Sequence, residues 1–262
     1  MKKSTMLAGL LAGALSLVAA ATPAWADALD RIKEAGVLRV AVPQDSPPFG
    51  MADANLELVG YDVEVAKLIA EKLGVSLEMT PVISANRVPY MTTGRVDLII
   101  SSLGYNEERA EIIDFSQPYA PFFSGVFGLP DSGISGYEDL SGKTVSVARG
   151  NIEDLTLTEL APADARIVRY EDGNTSMAAF LSGQADVIAT ANTTAATVLA
   201  TNPTRRPELL FPIKDSPCYV GIPKGEDALR EAVDAIIAEA KADGTLNDIS
   251  KRWFLADLPE GF

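Results

Sequence analysis

Short apolar runs rich in branched side chains alternate with segments of helical periodicity, and this alternation restricts the possible folds more than any other feature of the chain. The first block predicts strands at 37–42, 77–82 and 96–101, with helices at 63–73 and 87–93 between them. Strands that alternate with helices usually pair in parallel, through right-handed crossovers that cover both faces of the sheet. The block is therefore typical of a βαβαβ unit with a largely parallel sheet.

A second block of the same kind begins near residue 130. Its predicted elements, in chain order, are strand 144–148, helix 152–160, strand 167–170, helix 176–181, strand 187–190 and the extended segment 209–213. Residues 124–129 lie between the two blocks. An extended segment at 219–222 then leads to helices at 227–242 and 246–254, which have no strands of their own. We expect these last helices to return to the first unit.

This order of elements predicts an α/β protein with two lobes. The chain crosses between them near 124–130 and again near 217–223, and two extended crossovers form a natural hinge. We place lobe 1 at residues 27–125 and 221–262, and lobe 2 at residues 126–220.

Residues 1–26 form a segment that we expect to be removed from the mature protein. Two lysines precede an apolar run at 6–21, and the small residues Ala24 and Ala26 follow it. This is the pattern of a cleaved secretory signal, whereas a membrane anchor, the alternative, needs roughly 20 apolar residues. Since no cysteine near the cleavage site could carry a lipid, we expect export to the periplasm.

The charged and reactive residues exclude several classes of function. The chain has 36 acidic and 22 basic side chains, no histidine and one cysteine, Cys218. Without histidine it has no histidine-based acid–base catalysis, no Ser-His-Asp triad and no zinc site built on imidazoles. A net charge of −14 disfavours nucleic acid, which proteins bind through Lys and Arg. We therefore expect a small-molecule ligand and neither a metal nor a cofactor.

Polar residues follow the third predicted strand, at the kind of position where open α/β sheets bind ligands. Ser102 and Gly104 come directly after this strand, and Arg109 follows shortly after them. Hydroxyl and amide donors beside a guanidinium suit a carboxylate, because arginine offers two parallel charge-assisted hydrogen bonds. The alternative for Arg109 is a surface ion pair with the neighbouring glutamates.

Two further strand ends carry polar residues. Arg87 begins a short helix after the second strand, and Asn151 and Glu153 open a helix after the strand at 144–148. The alternatives are structural: a solvated arginine, and acids favoured by the helix dipole. Asp62, which precedes the first predicted helix, is interpreted as an N-cap and not as a catalytic acid.

Several motifs in a fixed order resemble those of a known family. They are GYDVEV at 60–65, DLIISS at 97–102, ERA at 108–110 and DFSQPY at 114–119. Together they resemble the extracellular solute-binding family 3, the polar amino-acid-binding proteins of ABC importers. The resemblance implies a two-lobed, type II-like periplasmic-binding-protein fold that closes around one amino acid without chemistry on it. It also implies a monomer that delivers the ligand to a permease in the inner membrane.

The resemblance implies roles for individual residues. Arg109 matches the arginine that binds the ligand's α-carboxylate, and Ser102 matches its partner. Gly104 stands where a hydroxyl residue is usual, although its backbone amide can still donate a hydrogen bond. Arg87 is similar to an arginine that helps to hold the ligand in glutamate- and aspartate-type members. Serines replace the sandwiching aromatic residues of glutamine- and histidine-type members at Ser46 and Ser84.

The departures from the family pattern concern the ligand's amine above all. Ala191 stands where family members have an acid for the α-amine, and Pro43 stands where glutamate-type members have an arginine. An enclosed ammonium without a counter-charge costs several kcal/mol, so another group replaces that acid or the ligand has no α-amine. The nearby candidates are Glu153, Asp154, Thr190 and Asn192, of which we favour Glu153 and Asn192.

Three functions agree with these residues. The leading one is a periplasmic receptor that captures a small polar amino acid or related carboxylate, with ligand contacts stabilising the closed form. The alternative is an enzyme of the periplasmic cyclohexadienyl dehydratase type, which uses the same fold, with Glu153 as a general acid whose pKa is raised by burial. The third is a receptor that signals to a membrane sensor.

Overall fold

The computed structural model describes residues 27–260 and 262, so the predicted signal segment, residues 1–26, lies outside the described residues. The strands, in chain order, are β1 (Val37–Pro43), β2 (Asp45–Ser46), β3 (Gly50–Ala52), β4 (Leu58–Val59), β5 (Ser76–Val82), β6 (Leu98–Ile99), β7 (Ile113–Ala120), β8 (Phe123–Gly128), β9 (Thr144–Ala148), β10 (Arg166–Tyr170), β11 (Val187–Ala191), β12 (Glu208–Asp215) and β13 (Cys218–Pro223). The α-helices are α1 (Ala28–Ala35), α2 (Tyr61–Leu73), α3 (Arg87–Thr92), α4 (Glu107–Ile112), α5 (Ile152–Leu160), α6 (Gly173–Leu181), α7 (Asn192–Ala200), α8 (Asp227–Ala242) and α9 (Thr245–Phe254).

The first lobe is built on a five-stranded sheet in the order β5-β1-β6-β13-β7. The predicted parallel unit is confirmed for β1, β5 and β6. β13 pairs antiparallel with both β6 and β7, because it enters this sheet directly from the second lobe. The prediction of a largely parallel sheet is therefore wrong at this edge. β7 has no counterpart among the predicted strands, since polar residues interrupt its apolar pattern.

The second lobe has a five-stranded sheet in the order β10-β9-β11-β8-β12. Within residues 27–260 the chain changes sheets at 121–122, between β7 and β8, and at 216–217, between β12 and β13. These connections lie a few residues before the lobe boundaries expected at 125 and 220. They run side by side, because β8 pairs with β12 and β7 pairs with β13, and two adjacent short connections suit a hinge.

Each lobe has its own hydrophobic core. In the first core, Ile69 of α2, Val233 of α8 and Ile249 of α9 pack together with Val40 of β1. The expected return of the last two helices to the first unit is therefore confirmed. The second core includes Val145 of β9 and residues of α5, β8 and β11. Among the residues that the structure describes, no helix combines the length and the apolar composition that crossing a membrane requires.

Asp62 lies inside helix α2 and does not cap it, so its interpretation as an N-cap is wrong. The helix is preceded by Gly60, whose φ of 144° and close approach to the carbonyl of Phe49 leave no space for a side chain. Asp62 is fully buried. Its carboxylate accepts hydrogen bonds from the backbone N–H of Ser102 at 2.6 Å and from the hydroxyl of Tyr119 at 2.7 Å. Asp62 thereby ties the start of α2 to the turn after β6.

This contact predicts a pH-dependent contribution to stability. Burial raises the pKa of Asp62 to about 7, although hydrogen bonds from Tyr119 and Ser102 and the charge of Arg87 oppose this effect. Because the pKa is higher in the folded than in the unfolded chain, protonation of Asp62 stabilises the fold, and this contribution is lost as the pH rises from about 4 to about 7. Asp62→Asn has no such titration. We expect its free energy of unfolding, relative to wild type, to rise by at least about 1 kcal/mol over that range.

Urea unfolding of both proteins at each pH measures this difference. The variant keeps a side chain of the same shape, with an oxygen that can accept from Ser102. Two parallel stability curves would show that Asp62 does not titrate in this range.

Candidate functional site

A cavity lies between the two lobes, at the carboxyl ends of strands from both sheets. The polar residues of its first-lobe wall are Asp45, Ser46, Ser84, Arg87 and Ser102. The polar residues of its second-lobe wall are Asn151, Glu153, Ser176, Thr190 and Thr194. Phe49 and Phe122 add an apolar surface. The cavity therefore combines charges of both signs, hydroxyl groups and aromatic rings.

Most of the residues predicted for a binding site lie in this wall. They are Ser46, Ser84, Arg87, Ser102, Asn151 and Glu153. The other predicted residues, among those the structure describes, are placed outside the wall: Arg109, Gly104 and Asn192. The loops after β1, β5, β6, β9 and β11 converge on the cavity, as expected for ligand sites beyond strand ends.

Arg87 is the positively charged residue of the cavity wall. It is 3% exposed, and its one side-chain hydrogen bond in the described part of the chain is a long contact of 3.4 Å from Nη2 to Ser102 Oγ. Its Nε has no partner there, and none of the described ion pairs includes it. A buried charge with so few partners is costly, so an anionic group of a ligand would complete this part of the site.

Glu153 is a buried acid on the opposite wall. It is 3% exposed, it lies in the first turn of α5, and its Oε1 accepts a hydrogen bond from the Ser124 hydroxyl at 2.9 Å. Burial raises the pKa of Glu153, whereas hydrogen bonds from its own backbone and from Ser124 and the charges of Arg87 and Arg109 oppose this effect. Its charge is thus partly balanced within the protein.

Asn151 and Asp154 organise the turn that carries Glu153. The side chain of Asn151 accepts a hydrogen bond from the Asp154 N–H at 2.8 Å and caps α5. Asp154 accepts from the Gly150 N–H at 2.9 Å and pairs with Arg169 at 2.7 Å. Asp154, a candidate for the ligand's amine on sequence grounds, therefore has structural partners and is not part of the cavity wall as described.

Arg109 lies behind the wall and joins the two lobes. Its Nη1 donates to the carbonyl of Gly104 at 2.7 Å, and its Nη2 donates to the carbonyl of Gly150 at 2.9 Å. Gly104 belongs to the first lobe and Gly150 follows β9 in the second. Burial, together with the charge of Arg87, lowers the pKa of Arg109 to about 10. Both terminal nitrogens thus face backbone carbonyls, an arrangement that the family resemblance does not imply.

Gly104 allows a close approach of the Ser216 side chain. A Cβ at position 104 would lie 2.4 Å from Oγ of Ser216 and 3.4 Å from Cγ1 of Ile152. The hydroxyl residue that is usual at this position would therefore require the Ser216 hydroxyl to turn away.

Asn192 begins α7 but is placed against the hinge. Its side-chain oxygen accepts a hydrogen bond from the Phe123 N–H at 3.3 Å, and it lines a separate groove with Pro121 and Phe254. This placement does not favour a contact between Asn192 and a ligand's amine.

Asp45 also lines the cavity, although the sequence patterns predict no role for it. It is 4% exposed, and its Oδ2 accepts a hydrogen bond across the cleft from the Gly173 N–H, at the start of α6, at 2.8 Å. Its Oδ1 has no hydrogen-bond partner among the described residues. Because Asp45 follows β1 at the same sheet edge as Ser102, its position in the sequence could have indicated a place in the site. Such a prediction would compete with the usual case, in which an acid in a turn is solvated.

Comparisons with known proteins agree with this geometry. The chain matches the bacterial extracellular solute-binding proteins, family 3, over residues 38–256. It is 32% identical over 237 residues to the L-cystine-binding protein TcyJ of Escherichia coli strain K12, across 88% of this chain and 87% of that protein.

Two solved structures are similar over nearly their whole length. The cysteine-binding protein of Campylobacter jejuni has a TM-score of 0.82 and 27% identity, across 90% of this chain and 96% of that one. AncCDT-1, an ancestral amino acid-binding protein and a precursor of cyclohexadienyl dehydratase, has a TM-score of 0.79 and 29% identity, across 86% of this chain and 99% of that one. The expected two-lobed periplasmic-binding-protein fold is confirmed by such neighbours. The chain belongs to the bacterial extracellular solute-binding proteins, family 3.

Proposed function

We propose that this protein is the substrate-binding component of an ABC importer and that it captures a small polar amino acid or a related carboxylate between its lobes. The observation that carries this proposal is Arg87, a buried guanidinium in the cavity wall with no described ion-pair partner. Relatives support the same class, since TcyJ is an L-cystine-binding protein and the Campylobacter jejuni neighbour is a cysteine-binding protein.

In this proposal Arg87 is the main receptor for the ligand's carboxylate. Its guanidinium can offer parallel charge-assisted hydrogen bonds, and the hydroxyl of Ser102 lies beside it. Arg109 supplies positive charge from behind the wall and an interlobe contact through Gly150. The family resemblance assigns the carboxylate to Arg109, whereas this proposal assigns it to Arg87 and gives Arg109 a supporting role.

The remaining wall residues suit a small ligand with polar groups. Ser46, Ser84 and Asn151 present short polar side chains to the cavity, and Phe49 and Phe122 enclose an apolar part of the ligand. No contact with the ligand is assigned to the side chain of Asn192.

Ligand binding is coupled to closure of the two lobes. The bonds from Arg109 to Gly150 and from Gly173 to Asp45 join the lobes and form only when these approach each other. A ligand that contacts both walls binds the closed form more tightly than the open form and shifts the population towards it. The closed form is the one that a permease would recognise.

The proposed setting is the bacterial periplasm. The family is extracellular by description, and residues 1–26 have the pattern of a cleaved secretory signal. We expect the mature chain to act as a monomer with an ABC permease in the inner membrane.

A second candidate function is a dehydratase on the same fold. Glu153 favours it, because a buried acid with a raised pKa in a cavity can act as a general acid, and the neighbour AncCDT-1 is a precursor of such an enzyme. The binding function is preferred because the Ser124 hydroxyl bonds to Glu153 and the relatives are named as binding proteins.

A thermal-shift screen tests the proposed function directly. The mature chain, residues 27–262, is mixed with the common amino acids, L-cystine and simple carboxylates. A ligand at 100 times its Kd stabilises the folded protein by about 2.7 kcal/mol, so we expect a clear rise in Tm with at least one amino acid or related carboxylate. A flat response across the whole panel would reject the binding function.

Substitutions of the two arginines test their division of roles. We expect Arg87→Gln to weaken binding of the ligand found in the screen by about 30-fold or more, because a buried charge-assisted contact is lost.

Arg109→Gln should have a smaller effect, because it loses an interlobe contact worth about 1.4 kcal/mol. We expect the affinity for every ligand to fall by the same factor of about 10.

Isothermal titration calorimetry measures both effects. Arg95→Gln is the matched control, since Arg95 is an exposed arginine of the same lobe outside the cavity wall, and it should bind as wild type does. Wild-type affinity in Arg87→Gln would remove Arg87 from the ligand site.

Incubation with prephenate and with arogenate tests the enzymatic alternative. We expect neither compound to be consumed by the wild-type protein, as followed by the appearance of phenylpyruvate or phenylalanine. Product formation that disappears in Glu153→Gln would instead assign the protein a dehydratase activity.

A further inference from the structure

The family position for the ligand's amine does not provide a negative charge in this chain. It holds Ala191, which precedes α7 without a side-chain hydrogen bond to the helix. The start of a helix carries partial positive charge, so this corner of the cavity disfavours an ammonium. Any ammonium of a bound amino acid needs an acid elsewhere in the wall.

Asp45 has the geometry of such an acid. It is almost completely buried, it lies in the cavity wall, and none of the described ion pairs includes it. Oδ2 is held by the Gly173 N–H, but Oδ1 has no hydrogen-bond partner in the described chain. A buried carboxylate oxygen without a donor is costly, and an ammonium would satisfy it.

Glu153, the other acid of the wall, is better balanced already. Two positive charges, Arg87 and Arg109, act on it, and Ser124 donates a hydrogen bond to it. Among the described residues, Arg87 is the positive charge that acts on Asp45, and the negative charge of Asp172 opposes it. The carboxylate of Asp45 therefore has fewer positively charged partners than that of Glu153.

We propose that Asp45 is the receptor for the ligand's ammonium group, in place of the acid that Ala191 replaces. This proposal rests on the proposed binding of an amino acid. It assigns the ammonium to the first lobe, on the side of the cleft opposite to Ala191. It also makes Asp45 a residue that determines specificity for amino acids over carboxylates without an amine.

The same carboxylate connects ammonium binding to closure. Its Oδ2 bonds to Gly173 across the cleft, and a Cβ on Gly173 would lie 2.9 Å from the backbone oxygen of Asp45. The two lobes thus meet closely at this point. An ammonium on Oδ1 would bind a carboxylate that is oriented by the second lobe.

Pairs of ligands that differ only in the presence of their amino groups test the proposal. The probes are L-glutamate with glutarate and L-cystine with dithiodipropionate. Any other amino acid that the thermal-shift screen identifies is paired in the same way with its analogue that lacks the amino group. Wild type should prefer the amino acid of the pair. In Asp45→Asn, which keeps an oxygen for Gly173, we expect affinity for the amino acid to fall by about 30-fold or more and affinity for its deamino analogue to change by less than about 3-fold.

Two further variants separate the ammonium contact from other effects. Gly173→Ala disturbs the approach of the lobes without removing the carboxylate, so it should weaken both members of a pair equally. Glu153→Gln removes the other acid and should leave the preference for the amine. Both Kd values come from one preparation of each variant, so an unfolded fraction does not alter their ratio. Asp45→Ser replaces Asp45→Asn if the latter does not fold.

The outcomes distinguish the two proposals. Equal losses for both members of a pair in Asp45→Asn would overturn the role of Asp45, as would a selective loss of amino-acid binding in Glu153→Gln. Wild-type protein that binds carboxylates with no preference for the amine would overturn it too, while leaving the solute-binding function intact. Wild-type protein that binds no member of any pair and nothing else in the screen would reject the proposed function itself.

Discussion

A buried guanidinium that makes none of the described ion pairs is the condition on which the rest of this site depends. Removing a charge from water costs several kcal/mol unless new partners replace the water, and Arg87 has a single long side-chain hydrogen bond among the described residues. The fold can sustain that cost because each lobe has a separate core away from the cleft. In the proposed function, a bound anion restores the stability that the protein loses by burying this charge.

The second lobe adds the N-terminal ends of three helices to the positive side of this cavity. α5, α6 and α7 all begin at the cavity wall, through Glu153, Gly173 and Thr194. Their first turns carry partial positive charge, whereas Glu153 and Asp45 place two acidic side chains in the same wall. A dipolar ligand such as an amino acid fits this alternation of sign better than an ion of one sign does.

Much of this fold can be predicted from the sequence, but less of the site can be. The helices at 152–160 and 227–242 are predicted with the bounds that the structure has, because their apolar periodicity is regular. β6 is shorter than predicted, and beside its first residue the Asp97 carboxylate accepts a hydrogen bond from the backbone N–H of Arg39 in β1 at 2.9 Å. Rules for strand ends correctly place Arg87 and Ser102 at the cavity. The contacts of Asp45 with Gly173 and of Arg109 with Gly150 cannot be read in this way, because these partners belong to the other lobe and the contacts depend on closure.

The crowding at Gly104 limits how this binding site can change over evolution. A hydroxyl residue at position 104 would restore the arrangement usual in the family, but its Cβ would meet the Ser216 hydroxyl at 2.4 Å. The atom in contact is the end of the Ser216 side chain and not its backbone, so another rotamer or a smaller residue at 216 would relieve the contact without moving the hinge connection. The two positions are therefore expected to change together, with alanine or glycine at 216 where a serine or threonine stands at 104.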